Sequence, residues 1–120
     1  MILTLRGNIP AKKSKYRSRC GGGLYLDAAT RACIEGLAFQ AGSQWRRSSH
    51  EPVEHPVVTI RMHARQTRAD RDGKLVTLLD VLQQAGVIRN DNINRFNGWL
   101  HLAPVEPALL DDYTEVEIEA

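Results

Sequence analysis

The chain has 120 residues, of which 42% are hydrophobic and 25% are charged. These values predict one globular domain over 1–120 with its own core. No apolar run approaches the roughly 20 residues that span a membrane, and the first apolar stretch is too short for a secretory signal. Cys20 and Cys33 lack zinc-type spacing. They are predicted to be free thiols of a cytoplasmic protein without a membrane partner.

The net charge of +2 conceals an uneven distribution along the chain. Residues 1–50 carry a balance of +7, whereas residues 51–120 carry −5. A basic half suits an anionic partner, and an acidic half can hold a cation. The alternative reading is a solvated surface with no partner for either half.

The first half of the chain predicts two strands, a loop and a helix. A strand is expected over 2–7 and another over 57–65. The segment 8–23 has no apolar period and is predicted to be a basic loop. A helix is expected over 27–46, with Asp27 as its N-cap. The basic side chains of the loop, together with one aromatic side chain, are Lys12, Lys13, Lys15, Tyr16, Arg17 and Arg19.

The second half predicts one helix and two strands. A helix over 73–86 is closed by Gly86, and one strand follows over 93–102. The last strand, 113–119, alternates apolar residues with glutamates and is expected at a sheet edge with one solvated face. The expected apolar stripe of the helix is Leu75, Leu78, Leu79, Leu82 and Ala85, with Thr77, Asp80 and Gln84 opposite. The fold class predicted is α+β, with about four strands in a mixed sheet and two helices packed on it.

Three aspartates flank this second helix. Asp70 and Asp72 are two residues apart, so in an extended segment they point to the same side. Asp91 lies beyond a helix about 20 Å long, so it meets the other two only where the chain after Gly86 runs back or the strands bring the two ends together. Converging carboxylates suit Mg²⁺, which relieves their mutual repulsion. The alternative is structural: Asp72 as a helix N-cap and Asp91 as a turn residue.

The segment "DRDGKLVTLLDVLQQAGVIRND" resembles the core motif of the RusA family of Holliday junction resolvases, which are crossover junction endodeoxyribonucleases. "GNIPAKKSKYR" is similar to the basic, Pro-containing opening of that family. The resemblance implies a homodimeric α+β endonuclease of a bacterium or phage that acts on four-way junctions and other branched DNA in recombination and repair. It also implies a catalytic Mg²⁺ site, which Mn²⁺ can fill, on Asp70, Asp72 and Asp91.

The chain departs from the family motif at two positions. Gly73 stands where the family has Asn, and Val76 stands where it has a functional lysine. Lys74 lies two residues before Val76 and is the candidate to replace that lysine in catalysis. Two residues correspond to about 200° around a helix, so the replacement requires a different approach to the phosphate.

The roles expected of the remaining residues follow from this chemistry. Metal-bound water needs no Ser, Cys or His nucleophile. The basic loop is expected to neutralise DNA phosphates, with Tyr16 stacking on an unpaired base. Arg68 and Arg71 flank the acid pair and are expected either to pair with it or to hold the phosphate. His63 is read as a general base or as a half-buried strand histidine.

Two other function classes fit the same residues. One is a non-catalytic nucleic-acid-binding protein that uses the basic loop and has a degenerate acidic site. The other is a protein-interaction module, in which the glutamate-rich strand 113–119 pairs with a partner at the edge of the sheet.

Overall fold

A mixed β-sheet with two helices on one face forms the core, which confirms the predicted α+β class. The computed structural model describes residues 1–10, 16–18, 24–48, 51–64, 71–89, 98–108 and 110–119. Along the chain the elements are β1 (Ile2–Arg6), β2 (Tyr16–Ser18), β3 (Leu24–Leu26), α1 (Ala28–Trp45), β4 (Val57–Ala64), α2 (Arg71–Gln84), β5 (Trp99–Leu102), β6 (Glu106–Pro107) and β7 (Tyr113–Glu119). None of these helices is long and apolar enough to cross a membrane.

The main sheet has the strand order β1-β7-β4-β5, and β6 pairs with the carboxyl end of β4. β7 is antiparallel to both of its neighbours, whereas β4 and β5 are parallel. Every second residue of β1, β4 and β7 is buried beneath the helices. This alternation is the pattern of a sheet with one covered face. In the described part of the chain, no element covers the other face of the sheet.

The prediction that 113–119 lies at a sheet edge is wrong. β7 lies between β1 and β4, and Thr114, Val116 and Ile118 on its inner face are buried. Its glutamates do lie on the open face, as predicted, but two of them have partners on β4. A central strand with one solvated face has the same period of two as an edge strand, so the sequence pattern alone does not separate them.

Two other boundaries differ from the prediction. The expected loop 8–23 contains β2, which pairs with β3 as an antiparallel two-stranded sheet. Three-residue strands are too short to leave a readable period. The expected strand 93–102 is a strand over Trp99–Leu102, and 93–97 lie outside the described residues. The two-residue β6 was not predicted, and it is too short to leave a readable period.

β4, α2 and β5 form a parallel β-α-β unit. Trp99 on β5 pairs with Val57 at the amino end of β4. Ile88, just after α2, bridges to Val53 near that same end. The chain therefore leaves β4 at its carboxyl end, and α2 returns to the amino end. This path places the first turn of α2 at the carboxyl end of β4.

The helix α2 begins two residues earlier than predicted. Asp72 is therefore its second residue, and the reading of Asp72 as an N-cap is wrong. The stripe prediction holds for Leu78, Leu79 and Leu82, which are buried. It fails at Thr77, which was expected on the polar side but is fully buried and donates a hydrogen bond to the Gly73 carbonyl at 3.2 Å. Its hydroxyl is satisfied within the helix, which removes most of the cost of burial.

α2 ends at Gln84, two residues before the predicted bound, and the prediction that Gly86 closes the helix is confirmed. Gly86 has φ +79°, a conformation that costs side-chain-bearing residues energy but suits glycine. Its amide donates to the Gln83 carbonyl at 3.1 Å, and the Val87 amide donates to Leu82 at 3.0 Å. This pair of bonds is the Schellman arrangement, which satisfies carbonyls that the last turn leaves without partners.

Side chains satisfy the backbone groups at the start of α1 and along the free edge of β1. The Asp27 carboxylate accepts from the Thr30 amide at 2.8 Å, which confirms the predicted N-cap. The Gln44 side chain accepts from the Thr4 amide at 2.8 Å and donates to the Thr4 carbonyl at 2.7 Å. Gln40 forms the same pair of bonds with Arg6, at 2.8 and 3.2 Å. These amides replace a neighbouring strand along the free edge of β1.

Candidate functional site

Four segments meet at the carboxyl end of β4: the end of β1, the end of β4 itself, the first turns of α2 and the start of β7. A cavity of about 10 Å³, roughly the space for one water molecule, lies among them. Lys74 enters this region from α2, and only 8% of its surface is exposed. A lysine is rarely buried to this degree without a partner, so its contacts decide what the region does.

The Lys74 ammonium donates to the Asn8 side-chain oxygen at 2.6 Å. Burial lowers the pKa of Lys74, and the nearby Asp112 carboxylate opposes part of that shift. A hydrogen bond from an ionised donor is stronger than one between neutral groups. Lys74 therefore links α2 to the segment that follows β1, and Asp112, just before β7, lies near this contact.

Asn8 has two contacts of its own, and a third contact holds the residue before it. Its side chain accepts from Lys74, and its carbonyl lies 3.7 Å from the Cys33 sulfur of α1. The preceding Gly7, at φ +105°, donates its amide to the Asp112 carbonyl at 2.9 Å. This bond continues the β1–β7 ladder by one residue. The result is a fixed turn at the point where the chain enters the basic segment.

The placement of Lys74 follows from the helical period. Positions 74, 78, 81 and 82 fall on one face of α2, and all four are buried. Val76 points away from this face, with 60% of its surface exposed. Lys74 thus occupies the first position of the core stripe, which Leu75 was expected to fill. Leu75 itself is only partly buried.

An open cleft of about 540 Å³ lies in front of this region. Its lining comes from the end of β1 and the approach to β7: Arg6, Gly7, Asn8, Asp111 and Asp112. A second cleft of about 530 Å³ shares Arg6, Asp111 and Asp112 and extends past Tyr113 on the open face of the sheet. Both volumes fall in the range of ligand-binding clefts.

His63 lies at the same end of the sheet but on its open face. Its Nε2 is 3.0 Å from a Glu115 carboxylate oxygen, and its Nδ1 is 3.5 Å from Glu106. The Tyr113 ring stacks on the imidazole with centroids 4.3 Å apart. With a carboxylate at each nitrogen and a ring on its face, His63 matches the reading as a half-buried strand histidine.

The convergence of the predicted acidic ligands stays a prediction, because it depends on residues and side chains outside the described part of the chain. Asp70 and Asp91 lie outside the described residues, and Asp72 is described by its backbone in the first turn of α2. The described residues on either side of 90–97, Arg89 and Gly98, lie towards the amino end of β4, opposite that turn. Within one chain, Asp91 can therefore meet Asp72 only if the chain after Arg89 returns towards the carboxyl end of β4.

Within the described ranges, no group of three His, Cys, Asp or Glu side chains is arranged to hold a metal ion. Two of the three predicted ligands are not part of those ranges. Among the predicted DNA-binding residues, Tyr16 and Arg17 are in β2 and Arg71 is the first residue of α2. The others lie outside the described part of the chain, namely Lys12, Lys13, Lys15, Arg19 and Arg68.

Two residues at this end of the sheet were missed by the sequence reading. Asn8 was read as part of a loop, and Asp112 was assigned no role. The signal for Asn8 was its position directly after Gly7, at the end of a strand. The signal for Asp112 was weaker, because a carboxylate before a strand is common in turns.

No model of a known protein family matches the chain, and no curated protein is similar to it. The resemblance to the RusA family, which depends on the motifs at 70–91 and 7–17, therefore stays a prediction.

Proposed function

We propose that the protein is a Mg²⁺-dependent, structure-specific endodeoxyribonuclease that hydrolyses phosphodiesters in branched DNA such as a four-way junction. One observation carries the proposal furthest. The contact between Lys74 and Asn8 joins the first turns of α2, where Asp72 lies, to the residues from which the basic segment departs. The helix turn that bears Asp72 thus adjoins the turn after which the candidate phosphate-binding residues follow in sequence.

The chemistry of the donors fits the ion. Asp70, Asp72 and Asp91 offer carboxylate oxygens, which are the hard ligands that Mg²⁺ prefers. When bound, Mg²⁺ supplies an activated water and neutralises charge on the phosphoryl oxygens. The protein's own part is to hold these carboxylates close together; of the three, Asp72 lies in the first turn of α2, at the carboxyl end of β4 and beside an open cleft. In sheets with parallel strands, ligands bind in the crevice outside the carboxyl ends of the strands.

The basic segment supplies affinity for the DNA backbone. Lys12, Lys13, Lys15, Arg17 and Arg19 follow Asn8 within eleven residues. Contacts between such residues and phosphates give strong, salt-dependent binding without sequence choice. A homodimer with two symmetric sites suits a four-way junction, which has two symmetric strands to cut.

The test is cleavage of three DNA substrates of equal length: a four-way junction, a flap and a linear duplex. With Mg²⁺ the protein is expected to cut the junction, and chelation is expected to stop cleavage. Asp70→Asn is expected to lower the rate about 10³-fold or more while binding of the junction stays within about threefold, since a lost metal ligand removes chemistry rather than phosphate contacts. An Asp70→Asn variant that still cuts the junction in Mg²⁺ would show that the site is wrong.

One observation favours the non-catalytic alternative. The Lys74 ammonium is engaged with Asn8 and is not offered to the cleft as a free phosphate contact. A nucleic-acid-binding protein without nuclease activity would bind the junction and leave it intact at every Mg²⁺ concentration. The protein-interaction alternative loses its structural basis, because β7 is paired on both sides and presents no free edge.

A further inference from the structure

We propose that Lys74 is a positioning residue, whose ammonium fixes the root of the basic segment against the first turns of α2. The root is the turn Gly7–Asn8, from which the chain continues to Lys12. This inference depends on the proposed nuclease function for its catalytic consequence. The anchor itself is a property of the fold, and it can be measured whether or not the protein cuts DNA.

Packing alone does not explain a lysine at this position. The other buried members of its stripe on α2, Leu78, Val81 and Leu82, are apolar. A leucine or methionine at position 74 would continue that stripe without taking a charge out of water, which is costly even when the charge is paired. A lysine adds an ionised donor that reaches a specific acceptor across the molecule, 66 residues away in sequence.

The contacts of Asn8 show what this donor achieves. Asn8 lies beyond the last β1–β7 residue pair, Arg6 with Tyr113, where the ladder no longer fixes the chain. The Gly7 amide bond to Asp112 and the Lys74 bond to Asn8 continue that constraint for two more residues. Since Lys74 lies two residues after Asp72 in the same helix, the chain entering the basic segment and the turn bearing Asp72 are held at one separation.

A direct contact between Lys74 and a DNA phosphate is the competing role. Burial of Lys74 argues against it, because a phosphate-contacting lysine presents its ammonium to solvent in the free protein. The position that faces solvent on this turn is Val76. The two roles also differ in their dependence on salt, because each phosphate contact that is lost reduces the slope of log K against log salt by about one.

The experiment compares Lys74→Met, Lys74→Arg and the double variant Lys74→Met/Val76→Lys with the unaltered chain. Lys74→Met is expected to lower kcat for the junction by about 10- to 100-fold, because a displacement of about 1 Å costs that much. KM is expected to stay within about threefold and the salt slope to stay unchanged. Lys74→Arg keeps a charged donor and is expected to recover most of kcat. Arg47→Met removes an exposed charge after α1 and serves as the control, with unchanged kcat.

The double variant separates the two roles. Since the RusA family has a functional lysine at the position of Val76, the double variant is compared with Val76→Lys alone. If Lys74 is a phosphate contact that Val76→Lys replaces, Lys74→Met no longer lowers kcat in the Val76→Lys background, which counts as rescue. If Lys74 is a positioning residue, Lys74→Met lowers kcat by the same factor in both backgrounds. Rescue, or a salt slope that falls by about one in Lys74→Met, would overturn the inference. A kcat for Lys74→Met equal to that of the unaltered chain would also overturn it.

Hydrogen exchange tests the anchor without activity. The Gly7 amide, bonded to Asp112, is expected to exchange about tenfold faster in Lys74→Met, because local opening controls exchange. The Ile118 amide donates to the Met1 carbonyl at 2.8 Å at the other end of the same pair of strands and is expected to be unaffected. If Gly7 exchange is unchanged, the anchor is absent. If Gly7 exchange rises but no variant cuts DNA, the anchor stands and the nuclease proposal fails.

Discussion

The helices α1 and α2 lie on the same face of the sheet, but their polar contacts with the β1 region differ in kind. α1 reaches β1 through two neutral amides, Gln40 and Gln44, each of which satisfies both the donor and the acceptor of one residue. α2 reaches the end of β1 through one buried ammonium, Lys74. The first arrangement completes a sheet edge, and a neutral group is enough for it. The second carries a charge that stability alone does not require.

Under the proposed function, this difference separates a helix with a structural role, α1, from a helix that also belongs to the site, α2. Where a neutral side chain closes every hydrogen bond, the contact is explained by folding. A charged side chain at a core position loses hydration free energy on folding, and such a loss is expected where the residue serves the site rather than stability. If this is right, α1 and α2 contribute about equally to the stability of the core and differ in what their polar contacts do.

The largest loss of stability is expected when a buried leucine of either helix is truncated, and the loss should be the same for both helices. Leu37 on α1 and Leu82 on α2 are buried in one core. Leu37→Ala and Leu82→Ala are each expected to lower the free energy of unfolding by about 3 kcal/mol, through lost burial and the cavity that remains. Denaturant unfolding measures both. A loss confined to one helix would show that the two do not share a core.

A smaller effect is expected at the edge of the sheet. Gln40→Ala/Gln44→Ala removes four hydrogen bonds to β1 and is expected to cost about 1–2 kcal/mol, since each bond is partly replaced by water. The exposed edge should also pair with a further copy, so sedimentation is expected to show species larger than the proposed homodimer, which the unaltered chain does not form. Gln84→Ala on α2, where the amide bonds Asp80 at 3.1 Å, is the matched control and should change stability by less than about 0.5 kcal/mol.

The smallest effect on stability is expected at Lys74, although its effect on activity is large. Lys74→Met should leave the free energy of unfolding unchanged or raise it by up to about 1 kcal/mol, because a buried charge is replaced by an apolar chain of similar length. Its partner Asn8 is exposed and regains water. A loss of more than about 2 kcal/mol would show that the ammonium is a structural requirement.

The same substitution has a signed dependence on pH. Burial lowers the pKa of Lys74 in the folded protein below the unfolded value of 10.5. Between those two pKa values the unfolded chain binds more protons, so the stability contributed by this group rises as pH rises. Any stability advantage of Lys74→Met over the unaltered chain should therefore shrink as pH increases towards 10.5. Unfolding free energies at two pH values measure this; an advantage that grows with pH would contradict the burial.

Helices could be predicted where an apolar stripe ran over several turns and a capping residue marked one end. The span of α1 followed from its apolar stripe and Asp27, and the end of α2 followed from Gly86. The order of strands was not predictable, because a central strand with one solvated face and an edge strand share the alternation seen at 113–119. The two shortest pairings, β2 with β3 and β6 with β4, leave no period to read.

The metal site stays a prediction from chemistry, whereas the contacts of Lys74 are shown by the structure and were not predicted. The spacing of Asp70 and Asp72 points to a metal because converging carboxylates repel one another and a cation relieves that repulsion. Nothing local indicates that Lys74 meets Asn8, because that contact arises only when the sheet brings β1 beside the start of α2. Helical spacing from Leu78 and Leu82 places position 74 on the buried face, yet a lysine there reads as solvated.

One comparison tests the central claim most directly: cleavage of a four-way junction by Asp27→Asn and Asp72→Asn, measured side by side in Mg²⁺. Both aspartates lie at the start of a helix, Asp27 as the cap of α1 and Asp72 in the first turn of α2. Asparagine caps a helix about as well as aspartate, so Asp27→Asn should fold and cut normally. Asp72→Asn should bind the junction and cut it about 10³-fold more slowly or not at all. Equal cleavage by the two variants would contradict the assignment of a metal-dependent site to α2.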